Sequence, residues 1–430
     1  MLDIKYIREN KEAVIENLKK KFQEHKVSSL EKLIALDIEY RETLKKANQL
    51  RNQRNILTEE VAKRKHNGQD ASDVLAEVKA LPEKIKEMDV VLKTQKEEID
   101  TLLNQIPNLI SKETPIGKDD KENVVTEEYG KIRDFDFEIK GHAEIAEKLN
   151  IVDFDSSRDN SGKGFYYLLG DLALLNNALI RYAQDILAKK GYTYVLPPLM
   201  INKKACDGVI DFTFFKDMVY KIENEDLYMI GTSEHPLISM FMDKTIPEEK
   251  LPLKLYSYTS CFRKEIGAHG IEERGLFRLH QFDKIEQVVI CKADESEKIF
   301  EELKNNSIEI FKGLGLPIRI LEICSGDLGD MKYRQIDLEA HSPRRNGFIE
   351  LGSCSNLTEA QAIGLNIKGK TKQGEKYYVH TLNNTAIPTQ RTLVAIIENF
   401  QTKEGNIKVP EVLVPYMYGK TEIKKNENFF

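Results

Sequence analysis

An α+β fold is expected: an antiparallel β-sheet domain with flanking helices, preceded by an antiparallel two-helix coiled-coil arm. Two long apolar stripes near the N-terminus, many short β-rich runs after residue 190 and few strand–helix–strand alternations predict it. At 430 residues, 41% of them hydrophobic, the chain has material for two or three domains and a sizeable core. The expected division is an N-terminal domain over 1–110, a linker over 111–130 and a β-sheet domain over 131–430.

The arm comes first. Leu33, Leu36, Tyr40, Thr43, Ala47, Leu50, Arg54, Leu57 and Val61 follow alternating steps of three and four, the period of one helix face. A turn at His66 to Asp70 precedes a second stripe running from Val74 through Leu81, Ile85, Leu92 and Ile99 to Ile106, with Pro82 inside it. The stripes can close on each other as a hairpin roughly 50 Å long at 1.5 Å per residue. Such an arm suits either dimerisation or reaching a distant part of a partner. Arg51, Arg54, Lys63, Arg64 and Lys65 concentrate positive charge on its outer half, suitable for a phosphate backbone or simply a solvated face.

Pro115, Gly117 and dense charge then read as a linker. Asp171 to Lys190 reads as a helix, followed by the strand candidates TYVLPP, DLYMI, LKLYSYTSCF, FDKIEQVVI, IRILEI, QIDLEAH and NGFIELGS. Further helices are expected over Glu295 to Leu314 and from Thr389.

The net charge of −6 excludes a globally basic nucleic-acid coat, so a polyanion must meet a local patch. Five widely spaced cysteines without a CxxC pair indicate neither a disulfide framework nor a cysteine-based zinc site. No run approaches a membrane span, and the N-terminus mixes acids with bases, so a cytoplasmic protein is expected.

Chemistry concentrates at 261–287, where two strands are expected to end at Glu265 and begin near Phe277, enclosing a loop with Gly267, Gly270 and Gly275. Arg263 and Glu265 would share one strand face, and Arg278, Phe282, Lys284 and Glu286 another. Burying such a set without a ligand is costly, although a surface ladder of salt bridges is the alternative. Arginine forks bind phosphate and Phe282 offers a stacking surface, which together suit a nucleotide. Glu350 and Ser353 supply oxygens able to hold Mg²⁺. Arg391, in the first turn of the expected helix, opposes the dipole and therefore needs a partner.

These segments carry a resemblance. The Pro197–Pro198 pair after KKGYTYV, FRKE with GLFRLHQFDKIE, and NNTAIPTQRTLVAIIENFQ resemble motifs 1, 2 and 3 of class II aminoacyl-tRNA synthetases. The arm, GTSE at 231–234 and ELGSCSN at 350–356 are similar to seryl-tRNA synthetases in particular. The resemblance implies a homodimer that uses ATP and Mg²⁺ to activate serine and charges the 3′ end of serine tRNA, with selenocysteine tRNA a further candidate. It also implies that the arm grips that tRNA's long variable arm.

It implies roles for residues too. Arg263 would meet the α-phosphate and the serine carboxylate, Glu265 the adenine amino group, and Arg278 the outer phosphates. Phe282 and Arg391 would sandwich the adenine, with Leu279 beside it and Leu351 and Gly352 in the same ATP site; Arg263, Glu265 and Arg391 form the catalytic set. Glu350 and Ser353 would hold Mg²⁺, while Thr232, Ser233, Glu234, Glu286 and Thr385 surround serine. Asn384, Pro388, Ala360, Ala362, Gly364 and His341 depart from the family's usual residues. A catalytically silent RNA-binding relative and a carrier-protein aminoacylating relative remain as rival functions.

Overall fold

The computed structural model describes residues 2–210, 218–265 and 275–428, so Gly267 and Gly270 lie outside the described residues. Two compact units divide at Pro107/Asn108.

In the first unit, short helices α1 (Ile4–Glu9) and α2 (Lys11–Lys20) precede the long α3 (Val27–His66) and α4 (Ser72–Leu103). Helix α3 contains neither Gly nor Pro, and it ends on Lys63, Arg64, Lys65 and His66, cations that suit the negative end of the helix dipole. Gly68, at φ +66°, turns the chain. Asp70 accepts a hydrogen bond from the Ser72 amide at 3.0 Å and starts α4. No residue of either expected stripe is fully exposed; Leu33, Ala47 and Val61 on α3 and Val74, Leu81, Ile85, Leu92 and Ile99 on α4 are buried. Pro82 is accommodated within α4, on its exposed side.

The second unit is built on an eight-stranded sheet. Its strands are β1 (Val124–Tyr129), β2 (Thr193–Tyr194), β3 (Leu253–Phe262), β4 (Gln281–Cys291), β5 (Ile318–Glu322), β6 (Arg334–Ser342), β7 (Gly347–Thr358) and β8 (His380–Pro388). They lie in the order β1-β5-β6-β7-β8-β4-β3-β2, and every pairing is antiparallel except β2 with β3. The segment expected to be a linker thus supplies an edge strand, because Val124 and Val125 lie within a charge-rich stretch that hides the strand signal.

One sheet face is dry. Helices α6 (Gly170–Lys189), α8 (Ser296–Gly313) and α9 (Thr389–Asn399) pack Leu175, Leu179, Phe300, Leu303 and Ile396 against Ile285, Val289, Ile336 and Leu338. The helices expected over 171–190 and 295–314 match α6 and α8 within one residue at each end. Strand alternation sends Phe282, Lys284 and Glu286 to the opposite face. That face carries the candidate site.

Candidate active site

The strand limits around motif 2 differ from expectation. Strand β3 stops at Phe262 and β4 starts at Gln281, so Arg263, Glu265 and Arg278 stand on the connecting backbone rather than in ladders. Glu265 adopts φ +47°, which takes it out of strand alternation with Arg263. Arg263 is still fixed: its amide donates to the His280 carbonyl at 3.0 Å, its Nε to the Gly231 carbonyl at 3.2 Å, and its guanidinium sits 5.1 Å from the Phe282 ring centroid. Glu265 meets Arg278 at 3.5 Å.

A buried polar pocket lies alongside. Glu286 is wholly buried and receives Lys284 Nζ at 2.5 Å, Asn383 Nδ2 at 3.0 Å and Thr385 Oγ1 at 3.2 Å. Register explains the meeting, since Glu286 pairs with Thr385 across β4 and β8. Lys284 Nζ also donates to Thr232 Oγ1 at 2.8 Å. Glu234, first residue of the short α7 (Glu234–Ser239), accepts from Gln361 Nε2 at 2.7 Å. Burial, with the charge of Glu286 second, pushes the Glu234 carboxyl above its ordinary range. Ser233 Oγ is buried with no hydrogen-bond partner among the described residues.

The adjoining strands β6 and β7 add oxygen donors. Glu350 and Ser353 are three apart, a spacing that puts two residues of a regular strand on opposite faces. A bulge corrects this: Glu350 pairs with Glu339 and Ser353 with Asp337, so Leu351 is left over and both donors reach the open face. Burial, then the Glu350 charge, pushes the Asp337 carboxyl up to about 7. Arg391 finds the partner its helix position requires, donating to the Glu350 carbonyl at 3.0 Å and lying 3.3 Å from its carboxylate. A β-carbon on Gly352 would stand 2.6 Å from Thr385 Cβ, so only glycine lets these strands approach there. Cys261 is buried and its thiol raised by burial, which suits packing and not nucleophilic attack.

Comparison with known proteins decides the family. Residues 1–110 match the seryl-tRNA synthetase N-terminal domain, and residues 216–400 match the tRNA synthetase class II core domain (G, H, P, S and T). The chain is 44% identical to the serine–tRNA ligase of Methanospirillum hungatei, over 98% of this chain and 99% of that one. The chain belongs to the seryl-tRNA synthetase family. Among solved structures of seryl-tRNA synthetases, the one from Pyrococcus horikoshii complexed with ATP superposes with a TM-score of 0.91 at 38% identity, covering 99% of this chain and 100% of that one. The cytoplasmic serine–tRNA ligase of Naegleria fowleri in complex with AMP gives 0.86 at 33% identity, covering 99% of each.

Within this seryl-tRNA synthetase fold, Thr232, Glu286 and Thr385 converge, as do Arg263 with Phe282, Arg278 with Glu265, and Glu350 with Arg391. Leu279 is buried, and the Leu351 side chain belongs to the helix-packed core, which leaves only its backbone for the expected ATP site. The arm cations are less uniform: Arg51 is paired with Asp89, and Arg64 with Glu60 and Asp73, whereas Lys63 and Lys65 are exposed. Sequence reasoning assigned no role to Lys284, Asn383, Gln361 or Asp337. Only the D-K-I-E alternation hinted at Lys284; Asn383 and Asp337 enter through cross-strand register, and Gln361 through the short helix Ala360–Gly364 that follows β7. Phe277, between the guanidiniums of Arg345 at 4.7 Å and Arg391 at 4.8 Å, was likewise missed as part of the site.

Proposed function

We propose that the chain activates serine with ATP and transfers it to serine tRNA, using the open sheet face as the adenylation site. The observation that carries this reading is the continuity of two unlike surfaces: a polar, acid-bearing set of Thr232, Glu234, Glu286 and Thr385 beside a cationic and aromatic set of Arg263, Phe282 and Arg391. In the first step a serine carboxylate oxygen attacks the α-phosphorus, the bond to the β-phosphate breaks, and pyrophosphate leaves. A ribose hydroxyl of the tRNA end then attacks the acyl carbon and AMP departs. Neither step needs a nucleophile from the enzyme, so positioning and charge neutralisation carry the acceleration.

In this reading Arg263 holds the α-phosphate and serine carboxylate, and Arg278 the outer phosphates, with Glu265 reading the adenine amino group. Phe282 and Arg391 take the adenine between them. Glu286 and Glu234 receive the ammonium and hydroxyl of serine. A site built around a hydroxyl can disfavour the analogue lacking it by roughly 10⁴-fold. Magnesium fits the donor set: Glu350 and Ser353 on one face, beside Asp337, give the few protein oxygens this ion takes when phosphates fill its remaining positions. When bound, it would neutralise phosphate charge. The exposed apolar side chains of Tyr194, Leu196, Leu199 and Met200, next to motif 1, suit a dimer interface.

Serine-dependent ATP–pyrophosphate exchange tests the reading. Arg263→Ala should lower exchange at least a hundredfold while the protein stays folded. A folded wild-type protein without exchange would favour the silent RNA-binding relative instead.

A further inference from the structure

Behind the site lies a buried chain of polar groups to which the proposed chemistry assigns no part. His142 opens α5 (His142–Lys148), and Glu398 lies near the end of α9; both are buried. His142 Nδ1 is 3.1 Å from Glu398 Oε1, and Ser342 Oγ donates to Glu398 Oε2. On the other side of the ring, the Leu276 amide donates to Nε2 at 3.2 Å. Gly275 makes this possible, because a β-carbon there would fall 2.2 Å from Nε2. Its φ of +142° also suits glycine alone.

The tautomer follows from the partners. Burial opposes ionisation of Glu398, but hydrogen bonds from His142 and Ser342 outweigh it and hold the carboxyl below its ordinary value. A carboxylate can only accept, so Nδ1 carries the proton and the Nε2 lone pair is left for the Leu276 amide. Leu276 is wholly buried, and the next two residues are Phe277, stacked between Arg345 and Arg391, and Arg278, paired with Glu265.

We infer that His142 is a positioning residue for ATP: held by Glu398 in its Nδ1–H form, it anchors Leu276 and so fixes where Phe277 and Arg278 meet the nucleotide. The inference rests on the adenylation reading and deepens it.

Two isosteric substitutions separate anchoring from packing. The Gln oxygen of His142→Gln reaches the Nε2 position and keeps an acceptor for Leu276, whereas His142→Asn keeps only the contact towards Glu398. In ATP–pyrophosphate exchange, His142→Asn should raise the KM for ATP roughly five- to tenfold, the size of one buried hydrogen bond. Its KM for serine should stay within about twofold, and His142→Gln should retain the wild-type KM for ATP. An unchanged KM for ATP in His142→Asn, or equal rises in both constants in both variants, overturns the inference. Nitrogen-15 NMR of the wild-type imidazole supplies an independent reading: an Nδ1–H tautomer is expected, and an Nε2–H tautomer overturns the inference even where a variant is too unstable to assay. Loss of exchange in the wild-type protein would instead count against the adenylation reading.

Discussion

At the scale of single residues, the site depends on close approach as much as on charge. Gly352 touches Thr385, and Thr385 donates to Glu286, so Gly352→Ala should push Thr385 off the carboxylate. The expected outcome is a KM for serine raised about tenfold with a smaller change for ATP, read by exchange kinetics, since one hydrogen bond to a buried charge is worth about 1.5–3 kcal/mol. Residues proposed to meet substrate through a local motif were legible: Arg263, Glu265, Phe282 and Arg391 stand in compact, unusual strings. Asp337, Asn383 and Gln361 were not, because each is an ordinary polar residue until register and burial set it beside an acid. Lys284 shows the same limit. A lysine in a strand reads as solvated, yet here it is 6% exposed and neutralises Glu286.

At the scale of elements, the arm was the most legible part of the chain. A helix with one packing neighbour must bury one narrow stripe, so the period of Leu33 to Val61 and Val74 to Ile106 is written directly in the residues. Strand ends were less legible: nothing local marks Phe262 as the end of β3, because Arg263 continues the alternation and only the left-handed Glu265 breaks it. Function of the arm is separable by experiment. Deleting residues 34–100 should leave exchange within about threefold but lower charging of serine tRNA by at least a hundredfold. Lys63→Glu with Lys65→Glu should reproduce part of the charging defect and flatten its salt dependence. Equal loss of exchange and charging would mean that the arm serves folding.

At the scale of the whole molecule, buried histidines set an acid limit on stability. Burial depresses His380 to about 4 and His235 to about 3, the latter with help from the charges of Lys284 and Arg263. An unfolded histidine takes a proton near pH 6.5, so the unfolded chain binds more protons as pH falls below that value. Stability from His380 should therefore decline between about pH 6.5 and 4 and level off below, and His380→Gln should reduce that slope in urea midpoints measured across the range. Assembly is testable at the same scale: Leu196, 76% exposed, is the most open apolar side chain near motif 1. Leu196→Asp should turn a dimer into a monomer in sedimentation and depress charging with it.

The leftover residue at Leu351 gives the sheet a parity. From Gly347 to Asn356 β7 alternates on either side of it, but the two halves are out of phase, odd positions facing the helices before it and even ones after it. A strand of this kind counts its residues. Pairing this segment in perfect alternation with no residue left over would turn either Glu350 or Ser353 into the helix-packed core, because three apart they would face opposite ways; losing Leu351 itself would leave them two apart and still on the open face. The extra residue and the break in pairing therefore come together, and the motif's information lies in that match as well as in the identity of its side chains.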